Sequence, residues 1–232
     1  MTIRLQDIKE GIPDEVALAI AIAGEPVTHA VNQRHTGFVV NGGEGQLWLF
    51  DLAWHNHFRK GNTGLEYAFV RAECLDEITA ATIVGFLFAL HDDTKGKIQY
   101  SVAYDDIRYF DGAKWVAGEP GQGLTCATFV LEVLRHHGIE ILATETWPRD
   151  GNQEWQDRMI LALPLTSEEF LAQCDISGQV ARYRPEEVVG CAALCLFEPI
   201  TYEVARGAAD DVVLELARLG KGHPPDRVSR WP

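Results

Sequence analysis

Basic residues are in short supply in this chain. Lys and Arg together number 20 against 34 Asp and Glu, a formal charge of −14. Nucleic-acid binding needs clustered Lys and Arg against phosphates, so the composition argues against that class, and it disfavours a strongly anionic macromolecular substrate. Cysteine is sparse too. Cys74, Cys126, Cys174, Cys191 and Cys195 are odd in number and scattered, with no C-x-x-C. That is neither a disulfide framework nor a zinc knuckle. Cys191 and Cys195, four apart in an apolar helical run, read as core residues, and a reducing compartment is expected. There is no low-complexity tract, no internal repeat, and no apolar run of membrane-spanning length; residues 16–23 are too few. The opening MTIRLQDIKEGIPDE lacks the basic region of a signal peptide. The expectation is a cytoplasmic protein without a membrane span, with signal-independent export left open.

What is present is ordinary for a globular chain: 47% hydrophobic and 23% charged residues over 232 positions, long enough to bury a substantial core. No clear linker interrupts it, so one domain over 1–232 is expected, with an α+β core at about 26–165 and helices over 166–232 added to it. Residues 14–24, behind Pro13, read as a short amphipathic helix. Residues 34–58 read as a β-hairpin around Asn41-Gly42-Gly43-Glu44-Gly45. Residues 59–77 are loop-like, 79–91 an apolar helix and 97–104 a strand. Short strands are expected at 139–142 and 159–163, a loop over 144–157, and helices over 167–174, 185–196 and 199–219, with Pro185 and Pro199 near helix starts. The tail from 222 reads as loosely held.

The chemistry centres on GQGLTCATFVLEVLRHHGI, residues 121–139. Thr125 is a good N-cap, Cys126 falls at the first helical position, and Phe129, Val130, Val133 and Leu134 form an apolar face that ends near Gly138. A thiol at a helix N-terminus faces the positive end of the macrodipole, which favours thiolate. Two residues earlier in the chain suit it as partners. In the hairpin, alternation puts His35, Gly37 and Val39 on one face. A three- or five-residue loop centred on Gly43 sets His35 opposite Asp51, whereas a two-residue turn shifts the partner to Phe50 or Leu52. Asp51 interrupts the apolar run 47–52, where a carboxylate needs a partner. Cys126 as nucleophile, His35 as base and Asp51 as the group that orients the imidazole make a thiol triad. His55 is the rival for the third position, about 13 Å farther along an ideal strand. Gln122, four residues before Cys126, is a candidate oxyanion or substrate contact beside the Cys126 backbone N–H.

The pattern H-T-G-F-V-V, a glycine-rich turn, a polar residue in the second strand, and later G-L-T-C-A-T-F-V-L resembles the circularly permuted NlpC-type papain-like family, which includes the lecithin–retinol acyltransferase-like enzymes. The permuted order is His, third polar residue, Cys, as here, and the likeness covers about residues 26–142. It implies a permuted papain-like core, with an antiparallel sheet packed on the cysteine helix and extra C-terminal helices. It also implies catalytic Cys126, His35 and Asp51. The family's third residue is often His or Glu, so Asp51 departs from the pattern. The function expected is a cysteine-dependent hydrolase (amidase, peptidase or acyl-ester hydrolase) or an acyltransferase, working through a thioester. Its substrate would bear an amide or ester, as in a peptide, a peptidoglycan fragment or a lipid, and no metal or other cofactor is required. Two alternatives stand beside it: a metal-dependent hydrolase using His55-x-His57 with Asp51 on one strand face, and a non-catalytic binding module on the same fold. Trp147 and Trp155 are candidates for a cleft wall or for the core.

Overall fold

The structure is a computed structural model that describes residues 3–25, 33–196 and 198–222. Its central strand is β2 (Leu18–Ala23), where a helix was expected. With β1 (Gln6–Asp7), β3 (Thr36–Asn41), β4 (Leu47–Trp54), β5 (His57–Asn62) and β6 (Tyr67–Val70) it forms an antiparallel sheet in the order β1-β6-β2-β3-β4-β5. All six residues of β2 are buried: Leu18, Ile20 and Ile22 face the main core, and Ala19, Ala21 and Ala23 face the other side, under Ile8, Ile12 and Val16. A strand covered on both faces shows no polar alternation, and alanine favours helix. The run therefore reads as a helix from sequence alone.

Six α-helices are present among the described residues: α1 (Glu77–Thr94), α2 (Cys126–His136), α3 (Gln153–Ala162), α4 (Ser167–Ile176), α5 (Pro185–Leu194) and α6 (Tyr202–Arg218). A two-stranded ribbon, β7 (Phe110–Asp111) with β8 (Lys114–Trp115), stands apart from the sheet. The α+β class is as expected, and several local expectations are corrected. Residues 59–77 carry most of β5 and all of β6. Residues 159–163 belong to α3, which buries Met159 and Ile160 on one side. Residues 97–104 form no strand; the Asn56 and Phe58 N–H groups donate to the Ile98 and Gly96 carbonyls, and the Leu124 N–H donates to the Gln99 carbonyl. Of 139–142 only a Leu142–Ile200 bridge forms. The tail from 223 and the segment 26–32 lie outside the described residues.

The C-terminal helices share the core. Val188, Val189, Cys191 and Ala192 of α5, with Val212 and Leu216 of α6, are fully buried in the same cluster as Ile20 and Phe38. Gly190 lets α5 and α6 approach, because a Cβ there would lie 2.9 Å from that of Ala208. Cys191 is a core residue, as read from the sequence. Cys195 is not. It leaves α5 in a left-handed conformation and pairs with Cys74 in a disulfide with a Cα–Cα distance of 5.5 Å, within the usual range. Cysteines 121 positions apart in sequence cannot be paired by inspection of spacing, which is why the bond was missed. Among the described residues no helix is long and apolar enough to cross a membrane.

Candidate thiol site

Cys126 is the first residue of α2. Thr125 caps the helix: the Thr128 N–H donates to Thr125 Oγ1 at 3.1 Å, and the Thr125 N–H donates to Thr128 Oγ1 at 2.7 Å. This reciprocal cap holds the thiol over the helix's N-terminal N–H groups. The helix is buried along its first nine residues, with Phe129 against Phe38 and Phe58. That packing fixes where its N-terminus points.

His35 lies one residue before β3. The β3–β4 register pairs Asn41 with Leu47 and Phe38 with Phe50. The loop is therefore 42–46, with the Gly42 N–H donating to the Gln46 carbonyl at 2.8 Å and Gly43, Glu44 and Gly45 all at positive φ. The expected loop was centred one residue earlier, so each partner is two positions farther along than predicted. A shift of two keeps side chains on the same face. His35 and Asp51 are thus diagonal neighbours instead of direct ones, and His35 Nε2 meets Asp51 Oδ2 in a short hydrogen bond. Gly37 takes the place opposite Asp51, where a Cβ would come within 2.7 Å of the Asp51 Cβ. On the other side, β4–β5 pairing sets Arg59 across from Asp51. Its Nε donates at 3.1 Å to both carboxylate oxygens, and its Nη2 donates to Oδ2 at 2.6 Å.

With Nε2 committed to Asp51, Nδ1 is the ring nitrogen left for the thiol. The Cys126 side chain and the His35 ring are near enough to shape each other's ionisation. Burial works against a charged His35, but the Cys126 thiolate and then Asp51 outweigh it and raise the imidazole to about 9. Burial also works against the thiolate. The His35 imidazolium, the Thr36 N–H and the Gln33 amide together bring Cys126 below its ordinary value of 9.0. Asp51 is held below the usual carboxylate range because His35 and Arg59 overcome its burial. The arrangement favours a thiolate–imidazolium pair with a carboxylate behind it.

Sequence reading missed three neighbours. Gln33 Nε2 donates to Cys126 Sγ at 3.5 Å, while its Oε1 is buried without a partner. Its place two residues before His35 is a strand-face spacing that would have flagged it. The fully buried Tyr100 hydroxyl lies against the Cys126 backbone N–H, the sulfur and the Gln33 side chain. Nothing in the sequence marks Tyr100, because it sits in an irregular segment. Arg59 follows only from the β4–β5 register.

Other candidates lie elsewhere. Gln122 is a turn residue, its Oε1 accepting from the Gly118 and Glu119 N–H groups at 3.2 and 3.1 Å. His55 does not reach His35: its Nδ1 accepts from the Tyr100 N–H at 3.3 Å, and its Nε2 faces Glu169 at 3.4 Å. His55 and His57 do not share a strand, because β4 ends at Trp54 and β5 begins at His57 with Asn56 at positive φ between. Among the described residues no three His, Cys, Asp or Glu side chains are grouped to hold a metal ion. Trp147 is buried, its Nε1 donating to Glu187 at 3.4 Å; Trp155 is half-buried beneath Arg182.

The sulfur is covered: Cys126 is 1% exposed and His35 5%. A cleft of about 570 Å³ opens on the far side of Asp51, lined by Arg59 and Tyr67 but by neither Cys126 nor His35. A second, of about 460 Å³, lies between Asp106, Arg135 and His136. Comparison with family models, curated proteins and solved structures found no match to the chain.

Proposed function

We propose that the protein is a cysteine-dependent hydrolase or acyltransferase acting on an amide or ester. The observation that carries this is Cys126 at the head of α2, beside His35, whose Nε2 is held by a buried carboxylate. The Cys126 thiolate attacks the carbonyl carbon, and His35 protonates the departing amine or alcohol, leaving a thioester. His35 then takes a proton from water, or from an acceptor alcohol or amine, as that group attacks. Asp51 keeps the ring oriented and stabilises its charged form. The Cys126 backbone N–H and the Tyr100 hydroxyl beside it are suited to stabilise the tetrahedral oxyanion. The order His35, Asp51, Cys126 along the chain, with an antiparallel sheet against the cysteine helix, supports reading the fold as a permuted NlpC-type papain-like core.

A small electrophile tests this directly. At pH 6 iodoacetamide should alkylate buried Cys126 faster than exposed Cys174, because reactivity follows the thiolate, and His35→Ala should abolish the preference. If Cys174 reacts first and the His35 variant changes nothing, the reading fails. A screen of amides and esters with Cys126→Ala as control then identifies the substrate. The second reading, a non-catalytic binding module, draws on the burial of the sulfur; it predicts no turnover with any acyl donor.

A further inference from the structure

The cleft behind Asp51 has a charge opposite to that of the molecule. Its walls are β5, the β5–β6 connection and the exit of α1. Arg59, Lys60, Lys95 and Lys97 all line it, against two carboxylates, Asp51 and Glu66. Asp51 is 1% exposed and turned toward His35 and Arg59. In a chain of net charge −14, a concavity lined by four of the 20 basic residues stands out.

The fold builds this convergence. Lys95 and Gly96, both at positive φ, turn the chain sharply out of α1. The Phe58 N–H then donates to the Gly96 carbonyl at 2.8 Å, and the Asn56 N–H to the Ile98 carbonyl at 2.9 Å, which straps this segment to β5. A Cβ on residue 96 would lie 2.9 Å from the Phe58 carbonyl oxygen, so the close approach needs glycine. Lys95 and Lys97, flanking Gly96, are thereby set beside the strand that carries Arg59 and Lys60. Lys60, the next residue along β5, points to the opposite sheet face, where its ammonium lies over Phe88 and Trp48 at 4.4 and 5.1 Å, so it stays outside this convergence. The Arg59 side chain is 41% exposed; its Nε and Nη2 donate to Asp51, and the Tyr67 side chain, also in the cleft wall, interacts with it as well. One lysine at a helix C-terminus is accounted for by the helix dipole; Arg59, Lys95 and Lys97 brought together from two segments are not.

We propose that this cleft binds a small polyanion, a molecule carrying two or more phosphate or carboxylate groups, with Arg59 as the planar anchor and Lys95 and Lys97 as point charges at the rim. Its volume of about 570 Å³ lies in the range typical of small-molecule sites, roughly 300–1,000 Å³. Guanidinium and ammonium groups are the usual recognition elements for such oxygens. The site is separate from the thiol and stands whether or not Cys126 is a nucleophile.

Calorimetric titration of the full chain with pyrophosphate, and separately with citrate, tests it. At least one should bind saturably, and the stronger of the two assigns the phosphate or the carboxylate class. The paired substitution Lys95→Gln and Lys97→Gln, both exposed, should weaken binding by about tenfold without shifting the unfolding temperature of the free protein. Cys126→Ala should bind as the parent does, which keeps this result independent of the thiol chemistry. Absence of saturable binding of either anion at millimolar concentration, or binding unchanged in the double variant, overturns the proposal.

Discussion

Gly37 faces Asp51 across the β3–β4 pair with no room for a side chain: a Cβ on 37 would fall 2.7 Å from the Asp51 Cβ and 2.6 Å from the Phe50 carbonyl oxygen. The absent side chain at 37 leaves room for the Asp51 side chain, which meets His35 diagonally. Gly37→Ala should therefore destabilise the protein by about 1–3 kcal/mol through overpacking. It should also slow alkylation of Cys126, because Asp51 is pushed off the imidazole. Denaturant unfolding and a labelling time course on the same sample check both effects.

The pH dependence follows from two opposite shifts. His35 holds its proton up to about pH 9, and Cys126 loses its own below the ordinary thiol value. Any turnover should fall on the alkaline side near pH 9, as the imidazolium general acid is lost. Because the imidazole is raised on folding, the stability it contributes is full below its ordinary value of 6.5 and is lost as pH rises through about 9. Cys126→Ala removes the largest of the influences that raise His35, so its titration should move to lower pH. Imidazole NMR resonances followed against pH measure this.

Arg59→Ala should act on the acid side. Asp51 is held low by His35 and Arg59, so it contributes stability above the ordinary carboxylate value, and that contribution is lost as pH falls through its lowered value. Without the guanidinium the depression shrinks, and acid unfolding should begin at a higher pH than in the parent. Arg59→Lys should restore only part of the difference, since an ammonium cannot reproduce the fork. Circular dichroism during acid titration reads the midpoint.

The Cys74–Cys195 bond gives a countable outcome. Unfolded in denaturant without reductant, the chain should present three thiols to a colorimetric reagent, Cys126, Cys174 and Cys191, and five after reduction. Reduction of the folded protein should cost about 2–4 kcal/mol, since the bond closes a long loop in the unfolded chain. A count of five before reduction would show that the pair is open.

Much of the site was legible because its parts are local. The N-cap threonine, the cysteine after it and the apolar spacing behind announce α2, and strand alternation joined to an odd-length loop sets His35 and Asp51 on one face. The register was misjudged by two because a loop carrying three glycines and an acidic residue accommodates more than one centre, yet the even shift spared the pairing. What stayed hidden depends on distant contacts. β2 is read as helix because both its faces are covered, so its burial carries no period. Tyr100 reaches the sulfur from an irregular segment, and Arg59 is tied to Asp51 by a strand pair in a stretch that reads as loop. Trp147 lies under Tyr202 and Tyr183, which belong to the C-terminal region that sequence reading kept apart from the core.

The central position of β2 bears on when the thiol site can form. The strand bonds to β3 on one side and β6 on the other, and α5 from far along the polypeptide buries its face. A nascent or clipped chain that cannot assemble these pieces carries an ordinary, unactivated cysteine, since the imidazole and the helix terminus reach it from separate parts of the sequence. On the proposed reading of the site, reactivity arrives only with the finished tertiary structure, so maturation itself acts as the safety catch.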